Sequence, residues 1–293
     1  MKRLVVYANP TYDVVGDEVR AGGPGLYAAL GAAAMGYTVR VYGAVGGDGH
    51  GVIRAYVERR IGFEKLEFHV DERTTRFRLE YVDGERRMEV LEVGPRLSIV
   101  EPREPRIVSP VLGELPKGYL GELFEGAYVD VQGFVRVRGR GPLRLERGAC
   151  NTLPWDREPR ALHGDVGELA TCFAAGGAAL AAVLRRLSSR GVEVLATMGY
   201  RGLVLYAGGE AYHVDAWGPR ASDPTGMGDV LLAAYAAARE EGFSPLDAVR
   251  VAVVACGLRA SGEEVRRDRV EEHVHEVRVR RLEAGADERL LGG

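Results

Sequence analysis

At 293 residues, with 46% of them hydrophobic, the chain is long enough for a large buried core, and α/β proteins of this size are often one unit. A formal net charge of −3 supplies no basic field for nucleic acid, and no run of like charge marks a tail. Arginines outnumber lysines 36 to 3, while Asn stands only at 9 and 151 and Gln only at 132; the loss of amides fits a thermophile, although genome base composition could produce the arginine bias by itself.

Cys150, Cys172 and Cys256 are odd in number, far apart and without metal-ligand spacing, so they read as buried fillers in a reducing compartment. The first apolar run, Leu4 to Ala8, is too short for a signal peptide or a membrane span. The expectation is a cytoplasmic protein with no membrane partner. Leu4 to Ala8 instead reads as a strand buried on both faces, ending in Asn9-Pro10-Thr11-Tyr12-Asp13. Ligands of parallel sheets meet strand C-termini, so Asp13 is either a ligand contact or a turn aspartate.

Gly22-Gly23-Pro24-Gly25 leads into a small-residue helix over Leu26 to Met35, closed by Gly36, and Thr38 to Val45 reads as the next strand. A second glycine cluster, Gly46 to Gly51, precedes a helix from Val52 to Ile61 that Gly62 terminates. His50, among these glycines, is assigned no role. From Thr75 the period changes to two: Phe77, Leu79 and Tyr81 alternate with Arg76, Arg78 and Glu80, and Met88 and Val90 follow the turn Asp83-Gly84. The apolar phase slips between Val90 and Leu91, as at a bulge. An amphipathic hairpin in an otherwise alternating chain reads as a lid that shields a substrate, or as a sheet whose apolar face simply packs on the core; both place Thr75 and Arg87 near the cleft edge.

Pro95 to Pro116 reads as irregular. Tyr128 to Val131 resumes a strand and delivers Gln132, an amide for hydroxyls, and Arg136, which is either a guanidinium for phosphate or a surface arginine. Asp165 and Glu168 lie three apart at a helix start, sharing one face; they suit a Mg²⁺ held through its waters or an ordinary acidic first turn. The strand Val194 to Thr197 ends at Thr197-Met198-Gly199-Tyr200-Arg201-Gly202, and a hairpin across Gly208-Gly209 extends the sheet. Leu246 to Gly257 is a further apolar helix, and Val277 to Arg281 reads as a solvated edge strand.

The densest stretch is Asp223-Pro224-Thr225-Gly226-Met227-Gly228-Asp229, followed by an apolar run to Ala238. A glycine-rich turn at the start of a buried helix exposes first-turn amides to anions, and a carboxylate beside an anion hole is what phosphoryl transfer to an alcohol needs. On its own the heptapeptide reads equally as a structural cap.

This heptapeptide resembles the Asp-Thr-Thr-Gly-Ala-Gly-Asp signature of the ribokinase or PfkB family of carbohydrate kinases, with Pro224 and Met227 as departures. The glycine clusters between Gly22 and Gly51 resemble the family's first signature, and the segment from Asp130 to Arg136, with Thr74-Thr75-Arg76-Phe77, is most similar to the archaeal branch that includes myo-inositol kinases. The resemblance implies a single α/β domain over 1–293: a ribokinase-like three-layer α/β/α fold with a mostly parallel sheet and a small β-sheet lid from about 13–21 and 72–94. It implies Asp229 as the base, with Gly226, Met227 and Gly228 as the anion hole. Asp13, Gly23, Tyr27, Gln132, Arg136 and Thr75 become substrate contacts, Tyr27 standing where many members have Asn.

Thr197, Gly199, Gly202, Thr225 and Gly257 become the nucleotide side, and Asp165 and Glu168 the metal side through similarity to an Asn-x-x-Glu motif. The expectation is transfer of the γ-phosphoryl group of ATP, with Mg²⁺, to a hydroxyl of a small sugar or polyol, a myo-inositol-like one favoured, in a homodimer formed through the lid; a monovalent cation is left open. The alternatives are a nucleoside kinase, with Phe77 and Tyr81 lining the lid, and a non-catalytic binding protein on the same scaffold. A dinucleotide-dependent oxidoreductase is disfavoured because no Gly-x-Gly-x-x-Gly follows the first strand.

Overall fold

The computed structural model describes residues 2–82, 85–98, 100–283 and 285–292, with side chains at 81, 82, 85 and 86 left aside. The turn expected at Asp83-Gly84 and the side chain of Tyr81 therefore lie outside the described residues. The first elements are β1 (Arg3–Tyr7), β2 (Thr11–Val15), β3 (Glu18–Gly22), α1 (Pro24–Ala33), β4 (Thr38–Gly46), α2 (His50–Glu58), β5 (Gly62–His69), β6 (Arg76–Val82) and β7 (Glu85–Glu92). The middle of the chain forms β8 (Arg106–Val108), α3 (Leu120–Phe124), β9 (Tyr128–Asp130), α4 (Gln132–Val135), β10 (Gly141–Pro142), β11 (Ala161–Asp165), α5 (Val166–Phe173) and α6 (Gly177–Ser189). Then come β12 (Glu193–Thr197), β13 (Leu203–Ala207), β14 (Glu210–Val214), α7 (Met227–Glu240), α8 (Pro245–Ala260), α9 (Arg267–His273), β15 (Val279–Arg281) and α10 (Ala286–Leu291).

The large sheet runs β15-β14-β13-β12-β11-β9-β8-β1-β4-β5, parallel from β12 to β5 and antiparallel from β12 outward to β15. β1 shows why its sequence is continuously apolar: Leu4 and Val6 join a core cluster with α1, α7 and α8, whereas Val5 and Tyr7 join the opposite cluster with α5 and α6. The sheet is thus covered by helices on both faces. α7 is buried from Val230 to Ala238, and α1 packs on it so closely that a Cβ at Gly31 would stand 2.1 Å from the carbonyl oxygen of Val230. That close approach requires glycine and the alanine-rich helix opposite it.

A second sheet, β10-β7-β6-β2-β3, forms from the two early segments and a third, the short β10, which adds to the edge at β7. The β6–β7 register steps from Arg76↔Glu92 to Phe77↔Val90, leaving Leu91 as the extra residue where the apolar phase slips. Phe77, Leu79 and Val90 pack with Val111 and Leu112, so the inner face meets the body of the protein.

Three expectations need correcting. β5 and β8 were not legible: β8 is three residues long, follows Pro105, and begins with Arg106, whose buried guanidinium donates to the carbonyls of Leu123, Glu122 and Glu125 at the end of α3. The helix expected over Val52 to Ile61 spans His50–Glu58, because Ile61 and Gly62 turn into β5. Cys150 and Cys172 are not separate fillers but a disulfide between the 3₁₀ turn Ala149–Thr152 and α5, both fully buried; Cys256 alone is free. Spacing of 22 residues could not show this, because the pairing is set by how the loop before β11 returns onto α5.

Candidate active site

The site forms where the C-terminal ends of β8, β9 and β11 meet the N-terminus of α7. Gly226 caps that helix at φ 72°, in the left-handed region, and a Cβ there would stand 2.1 Å from Cγ of Tyr27, so both its backbone and its neighbour demand glycine. Asp223 Oδ1 accepts from the amide of Thr225 (3.0 Å), and the Met227 amide donates to the carbonyl of Pro224 (3.1 Å), closing the turn. The Met227 amide is thereby occupied. The next amides, of Gly228 and Asp229, belong to the first turn and have no acceptor within the helix.

Asp229 stands between two chambers. The larger, about 660 Å³, is lined by Asp165, Glu168, Thr197, Gly199, Gly202, Trp217, Met227, Gly228 and Gly257 among others. The smaller, about 60 Å³, is lined by Thr11, Asp13, Gly23, Tyr27, Phe77, Leu79, Met88, Val111, Arg136 and Thr225. Asp229, Gly226 and Gln132 line both.

Of the expected residues, Asp13, Gly23, Tyr27 and Arg136 line the smaller chamber and Asp165, Glu168, Thr197, Gly199, Gly202 and Gly257 the larger; Thr225 and Thr75 are placed otherwise. Thr225 faces the smaller chamber, not the nucleotide side, because the turn at Gly226 reverses the chain there. Thr75 reaches neither: it is 2% exposed, its Oγ1 accepts from the Gly94 amide and its carbonyl from the Tyr12 amide, so it ties β6 to β2 at the base of the small sheet. Arg87 is exposed on the outer side of that sheet. Arg136, by contrast, is no surface arginine; it is 8% exposed, with Nη1 donating to the Val111 carbonyl (3.3 Å), Nη2 3.5 Å from Glu168 Oε1, and Nε buried without a partner.

Three groups that the sequence did not single out complete the site. Ser109, directly after β8, donates from Oγ to Asp229 Oδ1 (3.2 Å) and accepts from Gln132 Nε2 (3.1 Å). Asp130, the last residue of β9, accepts the Gln132 amide at Oδ1 (2.8 Å) and the Nδ1–H of His163 at Oδ2 (2.7 Å). His163 lies inside β11, and a histidine in a strand interior looks like core. Ser109 follows β8, Asp130 ends β9, and His163 in β11 pairs with Asp130 across the sheet, a juxtaposition set by strand order and not by any local pattern.

The charges here are out of balance. Burial, then the charge of Asp130, pushes the Asp229 carboxyl up to about 7, against the opposing pulls of His163, the Ser109 hydrogen bond and Arg136. Burial followed by the charge of Asp165 likewise pushes Glu168 up to about 7. Burial works against a charge on His163, but Asp130 outweighs it and raises the imidazole above its ordinary range. A carboxyl poised near neutrality, next to free first-turn amides, can take a proton from a hydroxyl while an anion sits on the helix.

Asp165 caps α5: its Oδ1 accepts the Glu168 amide (2.7 Å), and Glu168 Oε2 accepts the Asp165 amide (3.3 Å). The acidic pair is thus a capping box as well as part of the larger chamber. Among the described residues no cluster of three or more His, Cys, Asp or Glu side chains is arranged to hold a metal ion, so the pair fits Mg²⁺ only through its waters. Among the same residues no single helix is long and apolar enough to cross a membrane.

Comparison of the sequence with family models and with curated proteins finds no match in either. Solved structures do match. Ribokinase from Cryptococcus neoformans var. grubii serotype A in complex with ADP has a TM-score of 0.71 at 22% identity, covering 93% of this chain and 100% of that one. A pyrophosphate-dependent kinase in the ribokinase family, complexed with a pyrophosphate analog and myo-inositol, has a TM-score of 0.71 at 18% identity, covering 92% and 99%. Burkholderia thailandensis nucleoside kinase in complex with inosine has 0.72 at 14%, covering 93% and 97%. The chain has the fold these proteins share, that of the ribokinase family.

Proposed function

We propose that the protein is a ribokinase-type phosphotransferase that moves the γ-phosphoryl group of ATP to a hydroxyl of a small polyol of the myo-inositol class. One observation carries this: Asp229 and Gly226 stand in the wall between a wide chamber and a narrow one, so a donor and an acceptor placed in the two would meet at a carboxylate and a helix N-terminus. The acceptor oxygen bonds to phosphorus, the bond from phosphorus to the bridging oxygen of the donor breaks, and the hydroxyl proton passes to Asp229. The amides of Gly228 and Asp229 hold the phosphoryl oxygens, and Asp13, Gln132 and Arg136 orient the acceptor. Mg²⁺, held through its waters by Asp165 and Glu168, would neutralise phosphate charge.

Size favours a polyol over a nucleoside. The acceptor chamber, at about 60 Å³, is lined by Phe77, Leu79 and Met88 from the small sheet, and it would have to widen for any acceptor, further for a nucleoside than for a polyol. The donor chamber extends past its polar end to a wall of Leu203, Trp217, Val253, Cys256 and Gly257, an apolar surface suited to a base and superfluous for pyrophosphate. A cytoplasmic location, where ATP is supplied, is part of the proposal. The Cys150–Cys172 disulfide runs against the reducing compartment expected from the cysteines, and in a cytoplasm it would fit the intracellular proteins of hyperthermophiles, an origin with which the scarcity of amides agrees. A homodimer through the small sheet remains part of the proposal.

The test is a screen of acceptors (myo-inositol, simple sugars, cytidine, adenosine) against ATP, ADP and pyrophosphate, with mass detection of the product. A phosphorylated polyol formed from ATP is expected. Turnover of nucleosides in preference to polyols would replace the acceptor assignment, and ATP binding without turnover of any acceptor would leave a binding protein.

A further inference from the structure

His163 is the group at the site that the chemistry above does not use. Its side chain is 3% exposed, yet the residue lines the donor chamber and is not among those lining the acceptor chamber. One nitrogen is fixed: Nδ1 donates to Asp130 Oδ2 at 2.7 Å, and the other oxygen of Asp130 is held by the Gln132 amide at 2.8 Å, so the carboxylate cannot swing away from the ring. The other nitrogen, Nε2, is buried with no hydrogen-bond partner in the protein. The ring also lies against the anion-binding turn. A Cβ at position 228 would stand 2.6 Å from Cε1 and 3.4 Å from Nε2 of His163, so glycine there is what lets the imidazole reach the first turn of α7.

A core histidine of purely structural purpose satisfies both nitrogens, since a buried polar atom without a partner costs stability. Here one nitrogen is anchored and the other is kept unpaired within van der Waals reach of the turn where donor phosphate charge would collect. Resting on the phosphotransfer reading, we propose that His163 is a phosphoryl-contacting residue: its Nε2–H hydrogen-bonds an oxygen of the transferring phosphoryl group beside the Gly228 and Asp229 amides, and Asp130 is the positioning residue that holds the ring. No covalent step is added. With Nδ1–H on Asp130, Nε2 carries a hydrogen in the imidazolium form, and that cation supplies a charge-assisted donor on the same side as the Gly228 and Asp229 amides.

Two substitutions separate this from a structural role. In His163→Asn the amide nitrogen stands where Nδ1 stood and keeps the bond to Asp130, with nothing at the place of Nε2. In His163→Gln the longer side chain carries an amide nitrogen to that place. Affinity for inorganic pyrophosphate, measured by calorimetry without acceptor, and steady-state kinetics are the two readouts, with melting temperature confirming that each variant folds.

His163→Asn is expected to bind pyrophosphate about 10-fold more weakly and to lose about 10²-fold in kcat with the acceptor KM unchanged. His163→Gln is expected to recover part of both. The inference is overturned if folded His163→Asn binds pyrophosphate as the wild type does, if Gln is no better than Asn, or if the wild type does not bind pyrophosphate. Should the wild type phosphorylate no acceptor while the binding pattern holds, the contact stands and the phosphotransfer reading falls. Should it phosphorylate a polyol with His163→Asn equally active, the reverse follows.

Discussion

The two chambers that share Asp229 are built on opposite plans. The donor side, about 660 Å³, is made of loops at the ends of large-sheet strands and of glycines in α8 and the turns, with an open polar end and an apolar far wall. The smaller one, about 60 Å³ and the proposed acceptor side, is lined by side chains of a separate small sheet and by the buried charges Asp13 and Arg136. Both chambers carry buried charge, Asp130 and His163 in the larger and Asp13 and Arg136 in the smaller, and a narrow chamber with buried charges rejects any ligand that leaves them unpaired. In the proposed reaction, discrimination among acceptors would fall to the smaller chamber, and the shared wall would carry the chemistry.

The largest expected effect tests that wall. Asp229→Asn should lower kcat by about 10² to 10⁴-fold while nucleotide binding persists, since the base is lost and both chambers remain. In the wild type, kcat/KM should rise with pH around a midpoint of about 7, where the buried carboxyl sheds its proton. The same shift has a stability consequence. The folded state holds this proton up to about 7 and the unfolded chain loses it near 3.8, so the favourable contribution is present at low pH and is lost as pH rises through 7. Asp229→Asn should accordingly raise Tm at pH 8, by about 2 to 4 °C, and do so less at pH 5.5. A pH profile flat between 5.5 and 8 would remove Asp229 as the base.

Gly226→Ala should come next, at about 10²-fold in kcat/KM, because the new Cβ meets the Tyr27 ring on the acceptor side while straining the turn that faces the donor. Both KM values should rise; a rise in only one would mean the chambers are less coupled than the shared lining implies.

Trp217→Ala probes the donor side alone. The indole lies against Gly257 and near His273, with ring centroids 4.8 Å apart, and its loss should raise the nucleotide KM about 10-fold with the acceptor KM unchanged. The smallest effect is expected from Tyr27→Phe, which removes one hydroxyl from the acceptor chamber and should raise the acceptor KM about 2 to 5-fold, with no change in the nucleotide KM.

How much of this was legible in the chain follows from what each residue's signal depends on. The heptapeptide at Asp223 to Asp229 could be read because a turn, two glycines and an acid before a buried helix are contiguous, and a local conformation is set by neighbours in sequence. The β6–β7 hairpin with its bulge at Leu91 was readable for the same reason, since a period-two pattern carries its own register. Arg136 was left open between ligand and surface because burial is a property of what packs over a residue, not of the residue.

By itself the sequence determined the alternation of strand and helix, the buried α7, and Gly226 and Asp229 at its mouth, all of which follow from short-range periodicity and backbone permissiveness. Only the tertiary structure decided that Cys150 bonds Cys172, that Thr225 faces the acceptor while Thr75 serves the small sheet, and that Ser109, Asp130 and His163 converge on Asp229. Those three come from strands adjacent in space and separated by tens of residues along the chain. Their partnership is created by the order β11-β9-β8 within the sheet, which no local pattern encodes.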